Sequence, residues 1–102
     1  ILPFIPEESE SCYSSYFLRL SDSYNKTNEY IVNEMASLNI SCRMGIRPLH
    51  QELFFQNRGF KDVDFPNSCK LGQKGLFLPI YPGLTNNEIN YIISSLTKVI
   101  LG

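Results

Sequence analysis

The stretch from Leu78 to Ile89, Leu-Pro-Ile-Tyr-Pro-Gly-Leu-Thr-Asn-Asn-Glu-Ile, constrains the fold of this chain more than any other. An apolar extended run meets a Pro-Gly pair, and the pair feeds straight into a helix start. Pro79 has no amide hydrogen to give a sheet, so Leu76 to Ile80 reads as an edge strand or a strand end. Tyr81-Pro82-Gly83-Leu84 has the centre of a type II turn, because Gly83 tolerates the positive φ that such a turn requires. Thr85 as N-cap with Glu88 three positions later predicts a capping box, in which each side chain satisfies an orphan backbone N–H. Leu84 and Ile89 would staple the entry to the helix. Ile89, Ile92, Ile93, Leu96, Val99 and Ile100 then recur as one apolar face.

Upstream, Tyr13 to Leu20 reads as a strand, with Tyr16, Phe17, Leu18 and Leu20 around a single Arg19. A helix is expected from about Asn25 to Leu38, with Ile31, Met35 and Leu38 inward and Lys26, Glu29 and Asn33 in water. Asn39 stops it, and Ile40 to Arg43 returns as a short strand. Gly45 to Leu76 is less regular. Pro48 would open a short helix through Gln56 with Leu49, Leu53 and Phe54 packed inward, ended by Asn57-Arg58-Gly59. Pro66 would start another helical turn, closed by Gly72 or Gly75. The expected architecture is α+β, a small antiparallel or mixed sheet with helices packed on one face, residues 1–102 forming one domain.

With 102 residues the chain has room for one small core, and it is short for an enzyme with its own cofactor pocket. Nine basic against ten acidic residues, with neither sign clustered, leave no basic stripe for nucleic acid. No apolar run reaches the length of a membrane span. Ile1-Leu2-Pro3-Phe4-Ile5-Pro6 is not expected to be a signal peptide, and a first residue that is not Met suggests an excised domain. Cys12, Cys42 and Cys69 are odd in number and far apart, so three reduced, mostly buried thiols are expected, in a cytoplasmic protein. Asn25-Lys26-Thr27 and Asn39-Ile40-Ser41 have the form of glycosylation sequons, but read better as helix-end chemistry.

Few residues offer chemistry. His50 is the only histidine, so neither a histidine metal cluster nor a nucleophile–base pair stands out, and no catalytic or metal-ligating residue is assigned. Arg43 and Arg47 flank a glycine-containing loop and with His50 make a compact polar group. That group is either solvated charge or an anion clamp, since arginine matches phosphate and carboxylate bidentately. Asp62 and Asp64 lie in an expected loop and carry no further signal.

Two segments together carry a resemblance: Leu38-Asn39-Ile40-Ser41-Cys42-Arg43-Met44-Gly45-Ile46-Arg47-Pro48-Leu49-His50, and Leu78-Pro79-Ile80-Tyr81-Pro82-Gly83-Leu84-Thr85 with its helix. Their order and spacing resemble the C-terminal small domain of the DegT/DnrJ/EryC1/StrS sugar aminotransferases. Asn39 stands where the family usually has glycine, and Met44-Gly45-Ile46-Arg47 stands where an aromatic residue is often found.

The resemblance implies a pyridoxal-phosphate enzyme whose Schiff-base lysine and ring-holding acid lie in a large domain outside this chain, so no cofactor is expected on these residues alone. It implies an amino donor, a keto group on a nucleotide-linked sugar as acceptor, and a homodimer. It places Arg43 and His50 on the substrate side of the active-site wall: Arg43 to orient an anionic or hydroxyl-rich substrate, His50 to hydrogen-bond in or beside the pocket. Two alternatives stand beside it: the same family catalysing sugar dehydration, and an unrelated α+β binding module.

Overall fold

The computed structural model describes residues 1–102. Its sheet has three strands in the order β1-β3-β2: β1 is Tyr16–Arg19, β2 is Arg43–Met44 and β3 is Gly75–Leu78. Both outer strands run antiparallel to β3 and therefore parallel to each other. The helix α1, Asn28–Ser37, links β1 to β2, so the unit is a strand–helix–strand crossover with a third strand inserted between its two strands. The run before Pro79 is thus the centre of the sheet and not its edge. The alternative reading holds, because the strand ends at Leu78, before the proline would be asked to donate.

Register separates the two faces. Leu18 stands opposite Leu76, and both are buried; Phe17 stands opposite Phe77 on the other face. The helices α1 and α4, the latter Asn86–Leu101, cover the leucine face. There Leu18, Leu20, Ile31, Met35, Ile40, Cys42, Leu76, Ile92 and Val99 form the core. Ile92 and Val99 are inward as expected, but Ile89 and Ile93 are exposed, so the buried stripe of α4 is narrower than its apolar content suggests.

The helix ends follow local chemistry. Thr27, two positions after the expected start, caps α1 by accepting a hydrogen bond from the Tyr30 amide at 3.1 Å. Asn39 takes a left-handed conformation (φ 60°) and closes α1. The Ile40 amide then reaches Met35 O and the Asn39 amide reaches Ala36 O, both at 2.9 Å, with Ile40 and Met35 buried together. Both sequon segments therefore serve as helix ends. Gly83 (φ 91°) makes the expected turn, with the Leu84 amide on Tyr81 O. The capping box is present: Thr85 N–H donates to Glu88 Oε2 at 2.7 Å, and Glu88 N–H donates to Thr85 Oγ1 at 3.3 Å.

The middle of the chain departs from expectation. Residues 48–56 form a 3-10 turn, Leu49–Gln51, then the short helix α2, Leu53–Gln56, broken at Glu52 by an extended ψ of 141°. The break resets the helical phase. Leu49, Leu53 and Phe54, expected inward, are 67%, 74% and 58% exposed, and Phe55 takes the inward place. A second 3-10 turn, Asp62–Asp64, precedes α3, Pro66–Lys74, which Gly75 ends. Asn28, buried at the start of α1, donates from Nδ2 to Gly72 O and Gly75 O, both at 2.9 Å, tying α1 to the junction of α3 and β3. Cys42 is buried, Cys69 is half-buried and Cys12 is exposed, so burial of the thiols is less general than expected.

Candidate substrate-contact site

His50 sits in the 3-10 turn after Pro48 and is 7% exposed. Its ring stacks on Phe65, with centroids 4.7 Å apart and planes 24° apart. Phe65 continues to Phe60 at 5.9 Å and Phe60 to Phe55 at 6.0 Å, so an aromatic cluster forms outside the main core. Gly59 (φ 86°) closes α2 and lets the Phe60 amide reach back to Phe55 O, which brings those two rings together. Leu49, His50, Phe55, Phe60, Phe65 and Ser68 line an open hollow of about 300 Å³.

One edge of the imidazole is fully engaged. His50 Nε2 lies 2.8 Å from Asp62 Oδ1 and 3.5 Å from Cys69 Sγ. Gln51 Nε2 donates to the same Asp62 oxygen at 2.9 Å. The Gln51 amide and then His50 hold the Asp62 carboxyl below the usual carboxylate range, although Asp62 itself is exposed. Burial and then the neighbouring Asp62 push the Cys69 thiol up, away from a ready thiolate. With Asp62 ionised as acceptor, the proton belongs on Nε2, and Nδ1 is left as the acceptor of the neutral ring. Nδ1 makes no hydrogen bond within the chain, and only Tyr24 Oη is a fully buried side-chain atom left unpaired.

Thiol, imidazole and carboxylate together invite comparison with a cysteine nucleophile and its base, but the geometry excludes that role. A relay needs the thiol on one ring nitrogen and the carboxylate on the other, whereas here both address Nε2. The raised thiol points the same way.

The sequence candidates do not form a single clamp. Arg43 lies on β2 opposite Phe77, hence on the sheet face that bears Phe17 and Phe77. It is exposed, its guanidinium has no hydrogen-bond or ion-pair partner in the chain, and it does not line the His50 hollow. Arg47 turns to its own neighbours, donating to Gln51 O at 2.9 Å and pairing with Glu52 at 3.8 Å. Asp62 and Cys69 were not distinguishable in the sequence. The turn at Asp62–Asp64 and the helix α3 bring them to His50.

Residues 1–97 match the DegT/DnrJ/EryC1/StrS aminotransferase family. The chain is 24% identical to the spore coat polysaccharide biosynthesis protein SpsC of Bacillus subtilis, with 100% of this chain and 27% of that protein aligned. It is also 24% identical to the GDP-perosamine synthase of Caulobacter vibrioides, over 97% of this chain and 26% of that protein. The fold superposes on the PMP form of the putative sugar aminotransferase Spr1654 of Streptococcus pneumoniae with a TM-score of 0.76 at 23% identity, covering 85% of this chain and 22% of that one. The PLP form of the same protein gives the same score. The chain thus spans about a quarter of the length of these curated relatives. With nearly its whole length matched, it belongs to the DegT/DnrJ/EryC1/StrS aminotransferase family.

Proposed function

We propose that this chain is the C-terminal small domain of a pyridoxal-phosphate enzyme that transfers an amino group from a donor to a keto carbon of a nucleotide-linked sugar. The observation that carries this reading is the family match over residues 1–97, and the hollow on this chain cannot itself perform transamination. His50 is its only titratable side chain, and no lysine lines it. Lys26, Lys70 and Lys74 are engaged elsewhere, with Tyr30, Asp22 and Tyr24 O respectively. These residues do not fit pyridoxal phosphate, whose chemistry needs a Schiff-base lysine and an acid at the ring nitrogen. Both groups would come from a large domain of the same polypeptide, which accords with a match to only a quarter of each relative.

In this reading the small domain walls the active site of a cytoplasmic homodimer. His50 offers Nδ1 to a sugar hydroxyl. The unpaired Arg43 guanidinium is suited to an anionic group such as a diphosphate. The run Met44, Ile46, Leu49, Leu53 and Phe54, exposed in this chain, packs against the large domain or its dimer mate.

The test uses the longer enzyme that contains these residues. Purified with pyridoxal phosphate, it should aminate a nucleotide-linked keto sugar with glutamate as donor. His50→Ala and Arg43→Ala should each raise KM for the sugar by about tenfold, the loss of one good hydrogen bond or charge contact. Full activity in both variants removes the two residues from the site. Loss of the sugar's hydroxyl as water, without amino transfer, replaces the reaction with a dehydration.

A further inference from the structure

Three successive short segments converge on one point. His50 comes from the turn after Pro48, Asp62 from the second 3-10 turn, and Cys69 from the second turn of α3. Their ligand-capable atoms Nε2, Oδ1 and Sγ all lie within 4.8 Å of one another. We propose that His50 Nε2, Asp62 Oδ1 and Cys69 Sγ form a binding site for a zinc-like divalent cation, with the fourth position left to water.

The donor set suits such an ion: one imidazole nitrogen, one carboxylate oxygen and one sulfur are the ligand types that zinc takes in tetrahedral sites. Around zinc, with bonds of about 2.0 Å to N and O and about 2.3 Å to S, ligand atoms stand roughly 3.3–3.6 Å apart. The Sγ–Nε2 separation is already 3.5 Å. The Oδ1–Nε2 separation is 2.8 Å, a hydrogen-bond length. Opening that contact by about half an ångström, with Oδ1 and Sγ, which lie within 4.8 Å of each other, brought to about 3.5 Å, admits the ion. Asp62 is the member best able to move, since its side chain is 64% exposed while that of His50 is 6% exposed. Gln51 provides an outer partner, donating to Asp62 Oδ1 at 2.9 Å and lying 4.0 Å from Cys69 Sγ.

Electrostatics favour occupancy. Without an ion, the Asp62 carboxylate opposes negative charge on the Cys69 sulfur beside it. A dication reverses that relation and draws the thiol proton off, so uptake releases a proton. It also moves the proton of the imidazole. Ligation at Nε2 leaves the ring hydrogen on Nδ1, which changes the free nitrogen from acceptor to donor. In the aminotransferase reading this would set whether His50 accepts from a sugar hydroxyl or donates to a sugar oxygen. The metal site itself does not depend on that reading.

The uniqueness of His50 makes a direct test available. In the 102-residue chain labelled with nitrogen-15 histidine, the two ring signals belong to one residue. After treatment with a chelator, equimolar zinc should shift the Nε2 signal to a metal-bound position and place the proton on Nδ1. Cobalt(II) should give a thiolate charge-transfer band that persists in Cys12→Ser and is lost in Cys69→Ser. Asp62→Asn, on an exposed turn, should weaken binding by about tenfold or more. Ring signals that ignore equimolar zinc overturn the site, as does a cobalt band that survives Cys69→Ser or affinity unchanged in Asp62→Asn. None of these readouts involves amino transfer, so failure of the metal site and failure of the proposed reaction are separable.

Discussion

His50 Nε2 and Asp62 Oδ1 meet at 2.8 Å across 12 positions of sequence, and this contact decides which ring nitrogen is left without a partner in the chain. An ionised carboxylate accepts only, so it selects the tautomer with hydrogen on Nε2. In metal-free protein at neutral to mildly alkaline pH, the nitrogen-15 spectrum of His50 should show that tautomer predominating. Asp62→Ala should return the ring towards a mixture. A tautomer ratio unchanged by the substitution would mean that Asp62 does not control the ring.

The capping box of α4 predicts a definite pH dependence. The Thr85 amide, and then its hydroxyl, hold the Glu88 carboxyl below the usual glutamate range. A carboxyl depressed by folding contributes stability that is present above its unfolded range and is lost as pH falls through the lower folded value. The gap in melting temperature between the parent chain and Glu88→Ala should therefore be widest near neutrality and narrow in acid. Thr85→Ala should cost about 1 kcal/mol at neutral pH by denaturant unfolding. A Glu88→Ala gap that stays constant into acid would show that the carboxylate charge is not its source.

Asn28 is a small residue with a large structural reach. Its amide serves two carbonyls, Gly72 O and Gly75 O, at the point where α3 becomes β3. Asn28→Ala removes that donor from Gly72 O, while Gly75 O keeps the Gly45 amide at 2.8 Å, and should destabilise the fold by about 1–2 kcal/mol. Asn28→Asp places an acceptor against two acceptors and should be worse. Denaturant midpoints of the two variants check the order; an Asp variant as stable as the Ala variant would show that the carbonyls find other donors.

Asn39 offers a cleaner backbone test. At φ 60° it occupies a region that glycine enters freely and a β-branched residue resists. Asn39→Gly should leave stability nearly unchanged, whereas Asn39→Val should cost about 1–2 kcal/mol. Equal losses in both variants would point to the asparagine side chain and away from the backbone.

The contrast between Asn39 and Asp62 shows what the sequence disclosed and what it withheld. Asn39, Thr85, Glu88 and Gly83 act on neighbours a few positions away, so their chemistry is complete within a short window, and each was assigned correctly. The same holds for the apolar periodicity of Ile31 and Met35, which fixed the inner face of α1. The middle region failed where one backbone angle at Glu52 broke the period. That break exchanged Phe55 for Leu49, Leu53 and Phe54 as the inward residue. At the candidate site, His50 was visible because it is the only histidine. Its partners Asp62 and Cys69 are ordinary residues until the fold brings the chain back to them. The placement of Pro79 was half legible: proline told where the strand ends but not that β1 and β2 would flank it on both sides.

The exposed run from Met44 to Phe54 leads to the last prediction. Five large apolar side chains in eleven consecutive positions lie open, while the buried core of the whole chain has nine members. Such a run favours association with another surface, and in the proposed enzyme that surface is the large domain. Alone in solution, the chain should self-associate in sedimentation equilibrium at high micromolar concentration. Leu53→Ser combined with Phe54→Ser should reduce that association without lowering the melting temperature, since neither side chain belongs to the core. A chain that stays monomeric at every concentration, or a double variant that associates as strongly as its parent, would contradict a docking role for this run.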